Sequence, residues 1–320
     1  MSGLDILDVV TVGAVVVTAL VAVLAPKRAA GTTAFLVFGI LLAVLWGRVD
    51  APDVAIAEAA LGGGIAGALL VDALERRTPA PAGSGDGRRA LLGVALGGAS
   101  AVALVIVVRQ LPRVPAPLAA DAFAQLDRTG VSNPVTAVLL NYRSLDTLLE
   151  IAVLVTAVIA VGAVARERVR PVREAEPVRR ALALVLVPVL LVLALWILVA
   201  GSRQPGGAFQ AGALGAAALV IAHLCGIPYS TPRGRGALAV AGGGVLAFVL
   251  LGAFGLAATG TWLGLDPSWA GAAILAIEAV LSVSIAVALA GIFLAAGAVD
   301  VERGEVSATR VASAREGAPR

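Results

Sequence analysis

Nine apolar runs, bounded by charged or turn-forming residues, constrain this 320-residue chain more than any other feature. They extend from about Leu7 to Ala25, Gly31 to Gly47, Val54 to Val71, Ala90 to Val108 and Asp146 to Ala165, and then from Ala181 to Gly201, Gly206 to Ile227, Gly236 to Thr259 and Ala270 to Val299. A helix needs roughly 17 to 25 residues to cross the hydrocarbon core, and each run is long enough. The last is long enough to tilt or to emerge into water. Lipid offers backbone groups no hydrogen bonds, so a run that crosses it as a helix satisfies them within itself. The expected fold is all-α, a polytopic transmembrane helix bundle of about nine spans.

Composition agrees. The chain is 59% hydrophobic and only 14% charged, with a mean hydropathy of +0.97. That leaves too little polar surface for a water-soluble globule, whose charged fraction is roughly a quarter. The net charge of +3 comes from arginines in short loops, without the basic stripe and interleaved aromatics of a nucleic-acid face; no nucleic acid is expected as a partner. Of the 24 basic residues, only Arg48, Arg109, Arg113, Arg128, Arg143 and Arg203 fall on one side of the nine spans. Cytoplasmic loops carry the excess of Lys and Arg, which predicts an N-terminus outside and a C-terminus in the cytoplasm. The first run lacks the basic flank of a signal peptide and reads as a mature helix. Cys225 stands alone, so cysteines do not report the redox compartment.

Polar stretches divide the chain. Arg77 to Arg89 is a Pro/Gly/Ser-rich linker, Arg109 to Asn133 a longer outer loop, and Arg166 to Arg180 a charged joint between the first five spans and the last four. The tail after Asp300 has no apolar period and is expected to be disordered.

A charge at the centre of a membrane helix costs about 2.5 to 3.5 kcal/mol on insertion scales, so each carboxylate inside a span needs a reason. The third span opens APDVAIAEAALGGG, with Glu58 five residues beyond Asp53, roughly 7 Å along a helix. Gly62, Gly63, Gly64 and Gly67 leave room for a neighbouring helix or for water. Ion handling is the favoured reading for Glu58, against a snorkelling structural carboxylate. In the fifth span Arg143, Asp146 and Glu150 are spaced i, i+3, i+7 on one helical face. That set suits either proton–cation exchange or an ion pair at the helix mouth beside a polar crevice, and both readings stand level. Pro205, Gly206 and Gly207 interrupt the chain before the seventh span and read as a helix-packing turn rather than a half-helix end facing an ion. Glu278, with Ser282 one turn on, is either a relay carboxylate or an interhelical hydrogen-bond partner. With spans three, five and nine all entering from outside, these carboxylates fall in the outer half of the bilayer and suggest a cation cavity there. His223 reads as a packed core residue, and Asp72 and Glu75 as solvated at the cytoplasmic boundary. No nucleotide loop, catalytic triad or CxxC pair occurs, so no cofactor, no metal site and no enzyme activity are expected.

At these residues the chain resembles the Mrp-type multisubunit Na+/H+ antiporters. DVVTVGAVVVTAL through APDVAIAEAALGGG is similar to the C-terminal region of the large MrpA subunit, whose hydrogenase counterpart is MbhD. NPVTAVLLNYRSLDTLLEIAVL is similar to the MbhE-like segment that follows it. GSRQPGGAFQAG and IEAVLSVS resemble MrpB (MnhB). The resemblance implies a fusion of six parts: an MbhD-like three-helix module at 1–76, the linker at 77–89, an MbhE-like two-helix module at 90–165, the joint at 166–180, an MrpB-like four-helix module at 181–299 and the tail at 300–320.

It further implies a membrane subunit of a Na+/proton antiporter in a bacterial plasma membrane, with other Mrp-type subunits, Na+, H+ and the lipid bilayer as partners. The residue matching Glu58 is implicated in ion transfer in the family, with Glu150 a second element. Ser202 stands where many MrpB sequences have His, and Ala208 where they have the third Gly of PGGGF. The long antiporter-like portion of MrpA has no counterpart in these residues, so the main proton channel is expected in another polypeptide. Two other readings stay open: a membrane subunit of a redox-driven complex, such as a membrane-bound hydrogenase or complex I relative, and a non-conducting scaffold.

Overall fold

A computed structural model describes residues 5–76, 87–110, 117–164, 177–227 and 234–316. Among them every regular element is helical. Eight helices are long and apolar enough to cross a membrane. The expected seventh span corresponds to a ninth apolar helix that is shorter, α10 below. Most of the linker expected at 77–89 and of the joint expected at 166–180 lies outside the described residues.

The chain forms two compact units, residues 77–124 and the remainder. The small one holds α5 (Gly87–Gln110) and α6 (Pro117–Ala124). Along α5 every side chain from Leu91 to Gln110 is exposed, as an apolar helix is when lipid is its solvent.

The large unit begins with an antiparallel hairpin of α1 (Ile6–Leu24) and α2 (Arg28–Arg48). Arg48 at the end of α2 forms an ion pair with Asp8 in the first turn of α1, so both helices start and stop at one level. The third span departs from a regular α-helix: α3 (Pro52–Ala57) opens into a wide π-helical stretch, Glu58–Ala66, before α4 (Gly67–Arg76). Gly62, Gly63 and Gly64 fall in that stretch, and Gly39 of α2 rests against Gly63. A methyl group added at Gly39 would sit 3.1 Å from the Gly63 backbone, so the absence of side chains sets this spacing.

The fifth span is also broken. Asn133 caps α7 (Pro134–Ala137) by accepting a 2.8 Å bond from the Val135 amide, with Pro134 in the first position. A π turn, Val138–Tyr142, follows. The backbone then leaves helical geometry at Arg143 (φ −129°) before α8 (Ser144–Val164).

Four helices complete the unit: α9 (Pro177–Ala200), α10 (Ala208–Leu224), α11 (Gly234–Thr259) and α12 (Pro267–Glu316). Asp266 caps α12, accepting from the Ser268 amide and hydroxyl at 2.9 and 2.6 Å, and these bonds hold its carboxyl below the usual range. α12 is the central post: half of its spanning window is buried, against 22% at most in the other candidate spans. Ile274, Leu281 and Ile285 join it to Ile151 of α8 and Phe248 of α11. Ala290 and Phe293 pack with Ala216 and Val220 of α10, with Ile65 of the π stretch against them.

The helix continues to Glu316, where the sequence alone suggests a disordered tail after Asp300. Residues 300–316 contain no proline and many Ala, Glu and Arg. A helix already formed continues into good helix formers without a second nucleation cost.

Candidate functional site: a clamped turn between α9 and α10

α9 ends at Ala200 and α10 begins at Ala208, and the chain between folds back on the last turn of α9. The amides of Gly201 and Gly207 both donate to the Ile197 carbonyl, at 3.1 and 3.2 Å. Gly201 and Gly207 nearly touch: a methyl group on the first would lie 2.7 Å from the Cα of the second. Gly207 adopts φ +120°, a conformation that side chains strongly disfavour. Glycine is therefore required at 207 on steric and conformational grounds together.

Three distant segments hold this turn. Thr136 Oγ1 donates to the Gly201 carbonyl at 2.6 Å, and Asn133 Nδ2 to the Gln204 carbonyl at 2.7 Å. The Ser132 and Asn133 amides donate to the Ser202 carbonyl at 2.9 and 3.1 Å. From the third span, Asp53 Oδ1 accepts the Gly206 amide at 3.1 Å, and its carbonyl accepts from Gln210 Nε2 at 3.3 Å. From α12, Glu278 accepts the backbone amide of Ala208.

Asp53 and Glu278 are thus brought to one turn with Pro205, Gly206 and Gly207. Both are buried, 9% and 3% exposed. Backbone N–H groups at a helix N-terminus favour negative charge, and here two carboxylates of this chain receive them. The turn packs tightly, and two of its backbone amides meet carboxylates of this chain. Glu278 Oε2 is buried with no hydrogen-bond partner among the described residues. Leaving one oxygen of an ionised buried carboxylate without a donor is costly. Ser282 donates to the Glu278 and Ala208 carbonyls at 2.8 and 3.3 Å, fixing α12 against the start of α10.

The other acidic residues lie apart from this cluster. Glu58 opens the π stretch half-buried, its carboxylate folded over Gly62, where a side chain would collide with it. It makes no hydrogen bond or ion pair among the described residues. Arg143 Nη2 meets Asp146 Oδ2 at 2.5 Å, with those side chains 70% and 44% exposed. Glu150 is exposed one turn deeper on the same face. His223 is buried on α10, as a packed residue should be. No group of three or more His, Cys, Asp or Glu capable of holding a metal ion occurs among the described residues. The sequence reading missed Asn133, Thr136 and Gln210, whose bonds build the site. Only the Asn-Pro pair, a helix-start signal, hinted at any of them.

Comparisons with known proteins agree with this architecture. Residues 13–79 match the MbhD family, a component of MBH. Residues 178–299 match MnhB, a domain related to the MnhB subunit of Na+/H+ antiporter. No protein of curated function matches. Among solved structures, the chain is similar to one in the Mrp complex from Dietzia sp. DQ12-45-1b, with 25% identity and a TM-score of 0.72. The match covers 92% of this chain and 35% of that one, so this chain spans about a third of its relative's length. It is also similar to a chain of the membrane-bound sulfane sulfur reductase (MBS), an archaeal respiratory membrane complex, with 26% identity and a TM-score of 0.54. There the match covers 65% of this chain and 97% of that one.

Proposed function

We propose, from the premise that the chain belongs to the Mrp-type antiporter subunits as a fusion of MbhD-like and MnhB-like parts, that it lends buried carboxylates to a Na+/H+ exchange path. The partners in this reading are the other subunits of such a complex, in a bacterial plasma membrane with the N-terminus outside. The observation that carries it is Glu278: a buried carboxylate in a candidate span, with one oxygen on a helix N-terminus and the other lacking a partner among the described residues. Exchange needs a carboxylate that alternates between proton and cation, and an unsatisfied buried oxygen suits that cycle. Asp53, bonded to the same turn from the MbhD-like part, transmits a change at Glu278 to the third span, where Glu58 waits in the π stretch. Asp146 and Glu150 form a separate outer station, with Arg143 as its counter-charge.

The test is Na+-dependent ΔpH in inverted membrane vesicles carrying the whole complex. Glu278→Gln abolishes exchange, by about 10-fold or more, while the complex still assembles. Normal exchange with Glu278→Gln refutes the reading and leaves a scaffold. A redox-driven complex is the second reading, favoured by the likeness to nearly the whole length of an MBS chain. Proton release that requires an electron donor rather than a Na+ gradient would decide for it.

A further inference from the structure

A cavity of about 800 Å³ opens where the end of α9 meets the first turns of α12. These helices are candidate membrane spans, so the cavity sits at the boundary between lipid and water. Its apolar wall is Trp196 and Val199 of α9 and Leu275 of α12. Its polar wall carries one cation, Arg203, and one anion, Asp127. Although both line the same cavity, they form no ion pair with each other, and neither side chain has an ion-pair partner among the described residues.

Opposite charges held apart above a greasy wall ask for a ligand carrying both charges and an apolar tail. We propose that this cavity binds a zwitterionic phospholipid, its phosphate on Arg203, its ammonium on Asp127 and an acyl chain along Trp196 and Val199. Arginine's fork matches phosphate oxygens. A carboxylate accepts hydrogen bonds from a primary ammonium, which a quaternary choline lacks, so the structure assigns phosphatidylethanolamine over phosphatidylcholine. Trp196 at the same level is the side chain that membrane boundaries favour. An anionic lipid would leave Asp127 facing like charge.

Native mass spectrometry of the purified full complex, offered phosphatidylethanolamine, phosphatidylcholine and phosphatidylglycerol with identical acyl chains, reads the preference. Phosphatidylethanolamine is retained over phosphatidylcholine by about fivefold, the size of one partly exposed charge contact. Asp127→Asn brings the two to parity without losing phosphatidylcholine. Arg203→Gln releases both, and Arg203→Lys, a cation without the fork, holds both more weakly than arginine does. Ala272→Trp, which puts an indole at an α12 position lining the cavity, also releases both. Equal retention of the three lipids by the natural chain, preference for phosphatidylglycerol, or undiminished binding in Ala272→Trp overturns the proposal.

Discussion

Asp53 of the third span and Glu278 of the ninth look like Asp146 and Glu150 of the fifth in the sequence, and the two pairs end in opposite surroundings. Asp53 and Glu278 are buried around one turn, receiving backbone amides that Gly206 and Ala208 present to them. Asp146 and Glu150 stand on an open helix face, the first paired with an exposed Arg143. A carboxylate in a membrane segment signals a cost to be offset; what offsets it differs. In the first region it is the fold of this chain. In the second it is an arginine three residues away, and whatever medium or neighbouring protein meets the face.

That contrast can be broken by substitution, beginning where the largest effect is expected. Gly206→Ala drives a methyl group into the Ile197 carbonyl and costs about 3 kcal/mol, read as a lower unfolding temperature of the purified protein. Thr136→Val keeps the shape but strands the Gly201 carbonyl, costing about 1 to 3 kcal/mol by the same measurement. Asp53→Asn weakens a charge-assisted bond without emptying the site and costs about 1 kcal/mol. Arg143→Gln changes stability by no more than about 1 kcal/mol, because its ion pair is mostly exposed. Equal losses in Arg143→Gln and Thr136→Val would erase the distinction between the two regions.

How much of this could be read beforehand follows the range of the forces. Apolar runs and their charged borders are local, so the spans from Leu7 onward were legible to within a few residues. Pro205–Gly207 was legible as a turn because proline and glycine act on their own backbone. The partner of that turn was not, since Asp53 lies 153 residues from Gly206 and nothing near either residue marks the pairing. Arg143 meets Asp146 in an ion pair, but the helical spacing that put Arg143, Asp146 and Glu150 on one face breaks at Arg143, where the loss of helical geometry had no apolar or glycine signal. The glycines after Glu58 announced room for a neighbouring helix or for water, but gave no sign that the helix would be α2 or of the π widening.

The proposed exchange of a proton for a cation at Glu278 can be watched at the group itself. Difference infrared spectroscopy of the reconstituted complex, on replacing K+ with Na+, observes that step at the carboxyl itself. Exchange at Glu278 gives a protonated-carboxyl band that disappears on Na+ addition and is absent from Glu278→Gln. A Na+-sensitive band of unchanged size in Glu278→Gln would contradict it.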